Sequence, residues 1–245
     1  MPSPLLSAVK NAGGRLLGAA SKVSNGTLFR FGYQLLPSPT VTVVRPWEYD
    51  PSFLEILDEI KGHTLVDPIR CFMLYQFARA TRTVPGEVAE LGVYRGGTGR
   101  LLSMTLPEKL VHLCDTFDGM PERDTRYDPA AYSRDFLADT SLNEVREYLA
   151  DRPNVKLHPG TFPESAGDLQ QRRFSFVHID ADIYPSTVAA CEFFYSRMAV
   201  GGVMLFDDYG NCPGVVKAAE EFFADMPEVP CYLPSGQGVV TRLPA

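Results

Sequence analysis

The sequence has no Cys-x-x-Cys pair, and its five cysteines (Cys71, Cys114, Cys191, Cys212 and Cys231) are scattered and odd in number. That excludes a zinc-ribbon or disulfide framework as the expected use of sulfur and points to reduced thiols in a cytoplasmic protein. There is no basic block, and the net charge is −7, which argues against nucleic acid as a partner. No apolar run is long enough for a transmembrane helix. Residues 1–23 carry Leu5, Leu6, Val9, Leu16 and Leu17, but Lys10, Asn11, Gly13, Gly14 and Arg15 interrupt them, so a continuous signal-peptide core is missing. A packing arm is expected there, with weak membrane-surface contact by a basic amphipathic helix as the alternative. Also absent are a Gly-x-Ser-x-Gly elbow, a Cys–His setting for acyl transfer and a P-loop Lys-Ser/Thr.

What is present centres on Glu90-Leu91-Gly92-Val93-Tyr94-Arg95-Gly96-Gly97-Thr98-Gly99. An apolar strand from Val84 to Leu91 runs into a glycine turn, and a helical pattern begins at Arg100. Strand, turn and helix start make a corner where free N–H groups and the helix dipole face a ligand. The spacing fits the dinucleotide fingerprint poorly, which disfavours nicotinamide cofactors. Glu90, an acid before the turn, suits a ligand carrying positive charge, such as S-adenosylmethionine.

The rest of the chain alternates strand and helix. Strands are expected at 110–115, 154–158, 174–180 and 202–207, then a hairpin-like pair at 229–233 and 238–243. Helical patterns occupy 51–62, 67–82, 137–149, 163–170, 184–198 and 212–224, and an extended run is expected at 41–44. This predicts a largely parallel α/β sheet with an antiparallel strand at its end. Residues 120–140 have no period, and are a lid over the ligand edge or an inert surface loop. Thr64 and Arg70, ahead of the glycine turn, either cover the binding corner or serve as a cap and a solvated charge.

Ligands of such sheets sit beyond the carboxyl ends of the strands. The expected strand ends present Glu90, then Asp115 and Asp118, then Asp180 and Asp182, then Asp207 and Asp208. So many carboxylates on one rim repel severely unless a cation lies among them. Asp180, Asp207 and Asp208 sit on strands four and five, beside the first strand, and their hard oxygens suit Mg²⁺ or Mn²⁺. Asp115 fits either a ribose diol or a helix N-cap. His178 and His112 read as buried, satisfied histidines more readily than as ligands.

Four stretches carry a resemblance: Glu90 to Thr98, Asp115-Thr116-Phe117-Asp118-Gly119-Met120-Pro121, His178 to Thr187, and Gly201 to Gly210. Between Thr64 and Phe223 the chain resembles the macrocin O-methyltransferase family, class I S-adenosylmethionine enzymes that methylate sugar hydroxyls of glycosides. The resemblance implies a Rossmann-like fold with a mostly parallel seven-stranded sheet and an antiparallel last strand. It implies an arm with cap helices over 1–62 and a methyltransferase domain over 63–245. It implies a metal on Asp180, Asp207 and Asp208, with Asp182 as general base and Asp180 in the catalytic set. The cofactor is then expected over Thr64, Glu90, Gly92, Tyr94, Gly96 and Thr98, its ribose on Asp115 and its adenine near Phe117 and Phe162. The acceptor is expected to be a small-molecule or oligosaccharide glycoside, and the assembly a homo-oligomer, a dimer. The competing readings are a catechol-type methyltransferase, which often carries a lysine beside the metal aspartate where this chain has none, and a binding-only partner subunit.

Overall fold

The computed structural model describes residues 45–244; the extended run at 41–44 and the expected arm helix lie outside them. A compact unit runs from Trp47 to the C-terminus. It begins with α1 (Pro51–Glu59) and α2 (Pro68–Ala80). Both start on an aspartate cap followed by proline, which satisfies first-turn N–H groups and pre-sets the backbone. The sheet strands are β1 (Glu87–Leu91), β2 (Val111–Asp115), β3 (Val155–Pro159), β4 (Phe174–Ile179), β5 (Met198–Phe206), β6 (Cys231–Tyr232) and β7 (Gly238–Thr241). Between them lie α3 (Gly97–Thr105), α4 (Leu142–Tyr148), a 3₁₀ turn (Glu164–Leu169), α5 (Tyr184–Tyr195) and α6 (Pro213–Phe223).

The strand order is β3-β2-β1-β4-β5-β7-β6, and β7 alone runs against its neighbours β5 and β6. Alternate strand residues point to opposite faces. One face packs Leu113, Phe176 and Leu205 against Phe53, Phe72 and Leu101 of α1, α2 and α3. The other packs Val177, Met204 and Phe206 against Phe194 of α5 and Val215 and Phe223 of α6. With Phe53 and Ile56 in that first cluster, α1 is part of the sheet's own core. The chain reverses its winding between β1 and β4, where a crevice opens at the strand ends. β4 is the neighbour of β1, whereas β5 stands one strand further out.

Several element ends differ from the sequence pattern. The helix expected over 137–149 starts only at Leu142, because Leu137 takes a left-handed backbone (φ 56) and Ser141 caps Glu144 N at 3.3 Å. The segment expected as a helix at 163–170 is a 3₁₀ turn. β5 begins at Met198, inside the expected preceding helix, and Gly201 (φ 80) and Gly202 carry it past an irregularity in its pairing. Among the described residues no helix is long and apolar enough to cross a membrane.

Gly92 is where the fold has least room. Its φ is +88, and a Cβ there would stand 1.8 Å from the Asp180 carbonyl oxygen. Gly92→Ala is expected to cost ~3 kcal/mol in urea denaturation, through a backbone clash and a disfavoured φ. Gly62→Ala, with the same sign of φ (+81) but open space around it, should cost only ~1 kcal/mol.

His112 is buried, as expected, in a chain of four side chains. Its Nε2 lies 2.8 Å from Glu87 Oε2, its Nδ1 3.0 Å from His158 Nε2, and His158 Nδ1 lies 3.2 Å from Asp168 Oδ1. Burial pulls both imidazoles below their ordinary value despite Glu87 and Asp168. The unfolded chain therefore takes up protons below pH 6.5 that the fold resists. His178, Glu90, Asp180 and Asp182 are shifted the other way and stabilise the fold on acidification, so the pair is read by difference: between pH 6.5 and 5.5 the urea midpoint of the native chain should lose ground relative to that of His158→Gln. A native midpoint that gains on the variant's as the pH drops would mean that the carboxylates, not burial, govern the pair.

Candidate active site

The crevice brings together the ends of β1, β2, β4 and β5. Backbone bonds continue past the strands: Gly92 N donates to Cys114 O (3.0 Å), Asp180 N to Leu91 O (2.8 Å) and Asp207 N to Ile179 O (2.9 Å). These ladders set Asp180 and Asp207 side by side. One ligand oxygen from each of Asp180, Asp207 and Asp208 falls within 4.8 Å of the others. Asp182 lies on the same lip, with an oxygen in a second group formed with Asp208 and Cys212.

Loss of solvent, with Asp207 and Asp208 alongside, pushes Asp180 well above the ordinary carboxylate range, and desolvation with Asp208 does the same to Asp182. Asp207 is held below that range despite full burial. His178, Arg70 and Gln237 surround it: His178 Nε2 is 3.5 Å from Oδ1, Arg70 Nη1 donates to Oδ2 at 2.5 Å, and Gln237 Nε2 donates to Oδ1 at 2.8 Å. Arg70 Nη1 also reaches Asp208 Oδ1 at 3.3 Å. It is aimed there by Asp67, whose carboxylate caps α2 and accepts from Arg70 Nε at 3.1 Å. Asp208 Oδ2 is buried with no hydrogen-bond partner. An orphaned hard oxygen beside two further carboxylates fits a divalent cation.

His178 has a role that its sequence reading did not include. It is fully buried, and its Nδ1 lies 2.8 Å from Glu90 Oε1. Despite burial, Asp207 and Glu90 raise it to about 9, so it stands as a cation between two acids. Gln237, on the turn before β7, was not singled out in the sequence, where nothing distinguishes it from any loop glutamine.

The residues expected around the cofactor separate into two groups. Thr64, Gly92, Tyr94, Thr98, Asp115 and Phe162 line one cavity together with Asp180, Asp182, Asp207 and Asp208. Glu90, Gly96 and Phe117 are not on its wall. Glu90 is turned beneath the glycine turn toward His178, and burial raises it. Gly96 packs against Val145, Tyr148 and Leu149. Phe117 is buried in the core on a left-handed backbone. Asp115 braces the turn itself: Oδ2 accepts from Val93 N (2.6 Å) and Tyr94 N (3.0 Å), and Oδ1 accepts from Phe117 N (2.7 Å). Asp118, expected on the rim, is instead exposed and paired with Arg134 at 2.7 Å. From the 120–140 segment, Met120, Pro121, Phe136 and Leu137 close one side of the cavity.

Residues 61–228 match the Macrocin-O-methyltransferase (TylF) family profile. The chain is 30% identical to 8-demethyl-8-(2,3-dimethoxy-alpha-L-rhamnosyl)-tetracenomycin-C 4'-O-methyltransferase of Streptomyces olivaceus, over 51% of this chain and 54% of that one. It is 28% identical to demethyldecarbamoylnovobiocin O-methyltransferase of Streptomyces niveus, over 58% and 59%. The chain thus spans a little over half the length of these relatives. The solved O-methyltransferase NovP superposes with a TM-score of 0.66 at 24% identity, covering 75% of this chain and 84% of that one. A caffeoyl-CoA O-methyltransferase-like structure from Staphylococcus aureus gives 0.57 at 14%, covering 80% and 94%. The fold is the Rossmann-like class I methyltransferase fold, as the family resemblance implies.

Crowded acids and one guanidinium make opposite predictions for two substitutions in EDTA. Arg70→Met leaves Asp208 with no cation in contact and Asp207 with His178 alone, and should lower stability by ~3 kcal/mol. Asp180→Asn relieves repulsion in the same cluster and should raise it by ~1 kcal/mol. Urea denaturation of both variants checks the signs; a loss in each would show that the carboxylates are not in conflict.

Proposed function

The chain belongs to the macrocin-O-methyltransferase family, and on that footing we propose that it methylates a sugar hydroxyl of a glycoside, glycolipid or polysaccharide, using S-adenosylmethionine and a divalent metal. The observation that carries this reading is the row of carboxylates facing the glycine turn across one cavity. The glycine turn has neither the dinucleotide spacing nor a P-loop Lys-Ser/Thr, which disfavours nicotinamide and ATP. S-adenosylmethionine-type chemistry has a use for each part. A relative at 30% identity is named for methylating a rhamnosyl-bearing product, and no lysine lines the cavity among the described residues. Both favour an aliphatic sugar oxygen over a phenol.

Gly92, Tyr94, Thr98 and Asp115 would hold the methyl donor, with Thr64 and Phe162 at its edges. Asp180, Asp207 and Asp208 would hold Mg²⁺ or Mn²⁺, which when bound lowers the proton affinity of acceptor hydroxyls. The protein's own part is alignment and proton removal. A sugar hydroxyl is a very weak acid, so a base must take its proton as the methyl arrives in line. Asp182 is suited to be that base. It stands on the lip of the cavity, outside the Asp180–Asp207–Asp208 group and beside it, where it can reach an acceptor held there. Asp207 is kept charged by its three partners and is poorly suited to accept a proton.

Incubation with S-adenosylmethionine, Mg²⁺ and a panel of rhamnosides and other deoxysugar glycosides, read by mass spectrometry, should give singly methylated sugar and S-adenosylhomocysteine. EDTA should stop turnover. Asp182→Asn should lower kcat by roughly 10²–10⁴-fold while calorimetric affinity for S-adenosylmethionine stays unchanged. Methylation of catechols with none of sugars would replace the acceptor class, and a wild-type rate in Asp182→Asn would remove the base.

A further inference from the structure

Asp182 sits in a left-handed conformation (φ 59) between the end of β4 and the start of α5. One local bond closes the turn, Ile183 N donating to Ala181 O at 2.6 Å, but its exit into α5 is held from elsewhere in the chain. The residue before α5, Ile183, has no side chain able to cap a helix, and Pro185 has no N–H to offer. The exposed need is the first-turn N–H of Tyr184. It is met from 56 residues upstream: Asp128 Oδ1 accepts from Tyr184 N at 2.9 Å.

Asp128 belongs to the irregular 120–140 segment, yet it is only 5% exposed. Its second oxygen accepts from Asp124 N at 2.8 Å, which folds the segment around it. α6 is shaped to admit it. A Cβ on Gly214 would lie 1.9 Å from Asp128 Oδ1, so only glycine fits in that first turn. A second tie runs beside it. Tyr132 of the same segment hydrogen-bonds Cys212 at 3.2 Å, and the Cys212 thiol lies 4.0 Å from Asp182 Oδ1. The Tyr127 and Tyr184 rings meet at 4.7 Å between centroids.

We propose that Asp128 is a positioning residue for Asp182, so that seating the 120–140 segment and setting the base turn are one event. This rests on Asp182 being the base. The segment would then do more than cover the cavity. Its other end is fixed to the glycine turn, where Thr140 Oγ1 donates to Tyr94 O at 2.6 Å and Tyr94 Oη to Asp139 Oδ2 at 3.0 Å. One segment thereby spans from the donor corner to the proton acceptor.

Hydrogen exchange with mass spectrometry, on the full chain without acceptor, tests this directly. In Asp128→Ala, residues 180–188 and 120–140 should both exchange about tenfold faster, while 174–179 in the sheet centre stays protected. Asp128→Asn keeps an oxygen for Tyr184 N but loses the acceptor for Asp124 N. It should therefore restore protection at 180–188 and leave 120–140 loosened. Unchanged exchange at 180–188 in Asp128→Ala overturns the proposal, as does equal acceleration through 174–179, which would report loss of the fold. Exchange is read without turnover, so these outcomes stand apart from the Asp182→Asn assay. That assay decides the base assignment on its own.

Discussion

Carboxylates placed edge to edge at the ends of two parallel strands are the constraint from which the rest of this molecule follows. Asp180, Asp207 and Asp208 cannot all be ionised side by side in a desolvated crevice without positive charge among them. The protein supplies two cations of its own. Arg70 reaches in from α2 and His178 stands beneath, bonded to Glu90 and close to Asp207. Their distribution is uneven. Both contact Asp207, only Arg70 touches Asp208, and neither bonds Asp180. The carboxyls left without a cation partner therefore face the cavity, where Asp180 and Asp182 are partly exposed. That is the side on which a metal and an acceptor would arrive.

The same logic explains why Glu90 lies where it does. On a strand end facing solvent it would be one more acid on the rim. Rotated under the glycine turn, with His178 as partner, it links β1 to β4 at the switch point of the sheet. The corner is closed from the other side by Asp115, whose two oxygens take three backbone N–H groups from the glycine turn and from its own. Two acids thus build the corner from within, and the acids that remain on its surface are free for chemistry.

How much of this could be read from residues alone divides along physical lines. The largely parallel sheet with its antiparallel end and the meeting of three aspartates follow from alternation and from acids at strand ends, because a parallel sheet puts its strand ends on one edge, whereas the order that sets β5 beyond β4 does not. Asp180, Asp207 and Asp208 came together for that reason. Glu90, Gly96 and Phe117 are not on the cavity wall because sequence position fixes a residue's place on the turn but not its rotation about it. Asp118 left the rim for Arg134, a pairing across an irregular loop that has no period to reveal it. Arg70 was legible as a candidate, though not its partner, since 137 residues separate it from Asp207.

The 120–140 segment shows where reading by period must stop. A helix or strand announces itself because its hydrogen bonds are local or laddered, and its side chains repeat. This segment closes its backbone in isolated short turns, such as Asp128 N to Asp124 O at 2.8 Å, and sends its side chains to distant partners instead. Asp128 bonds Tyr184 N, Thr140 bonds Tyr94 O, and Asp139 takes Arg95 at 2.6 Å. Each of those partners is, or lies within two residues of, a residue proposed for the site rather than on an inert surface. A loop that only covered a pocket could be held anywhere along its rim. This one is held at the donor turn and at the entry to α5, the two places whose geometry methyl transfer would have to align. Its irregularity is then a consequence of what it connects, since no single regular element could present acceptors to both ends of the cavity at once.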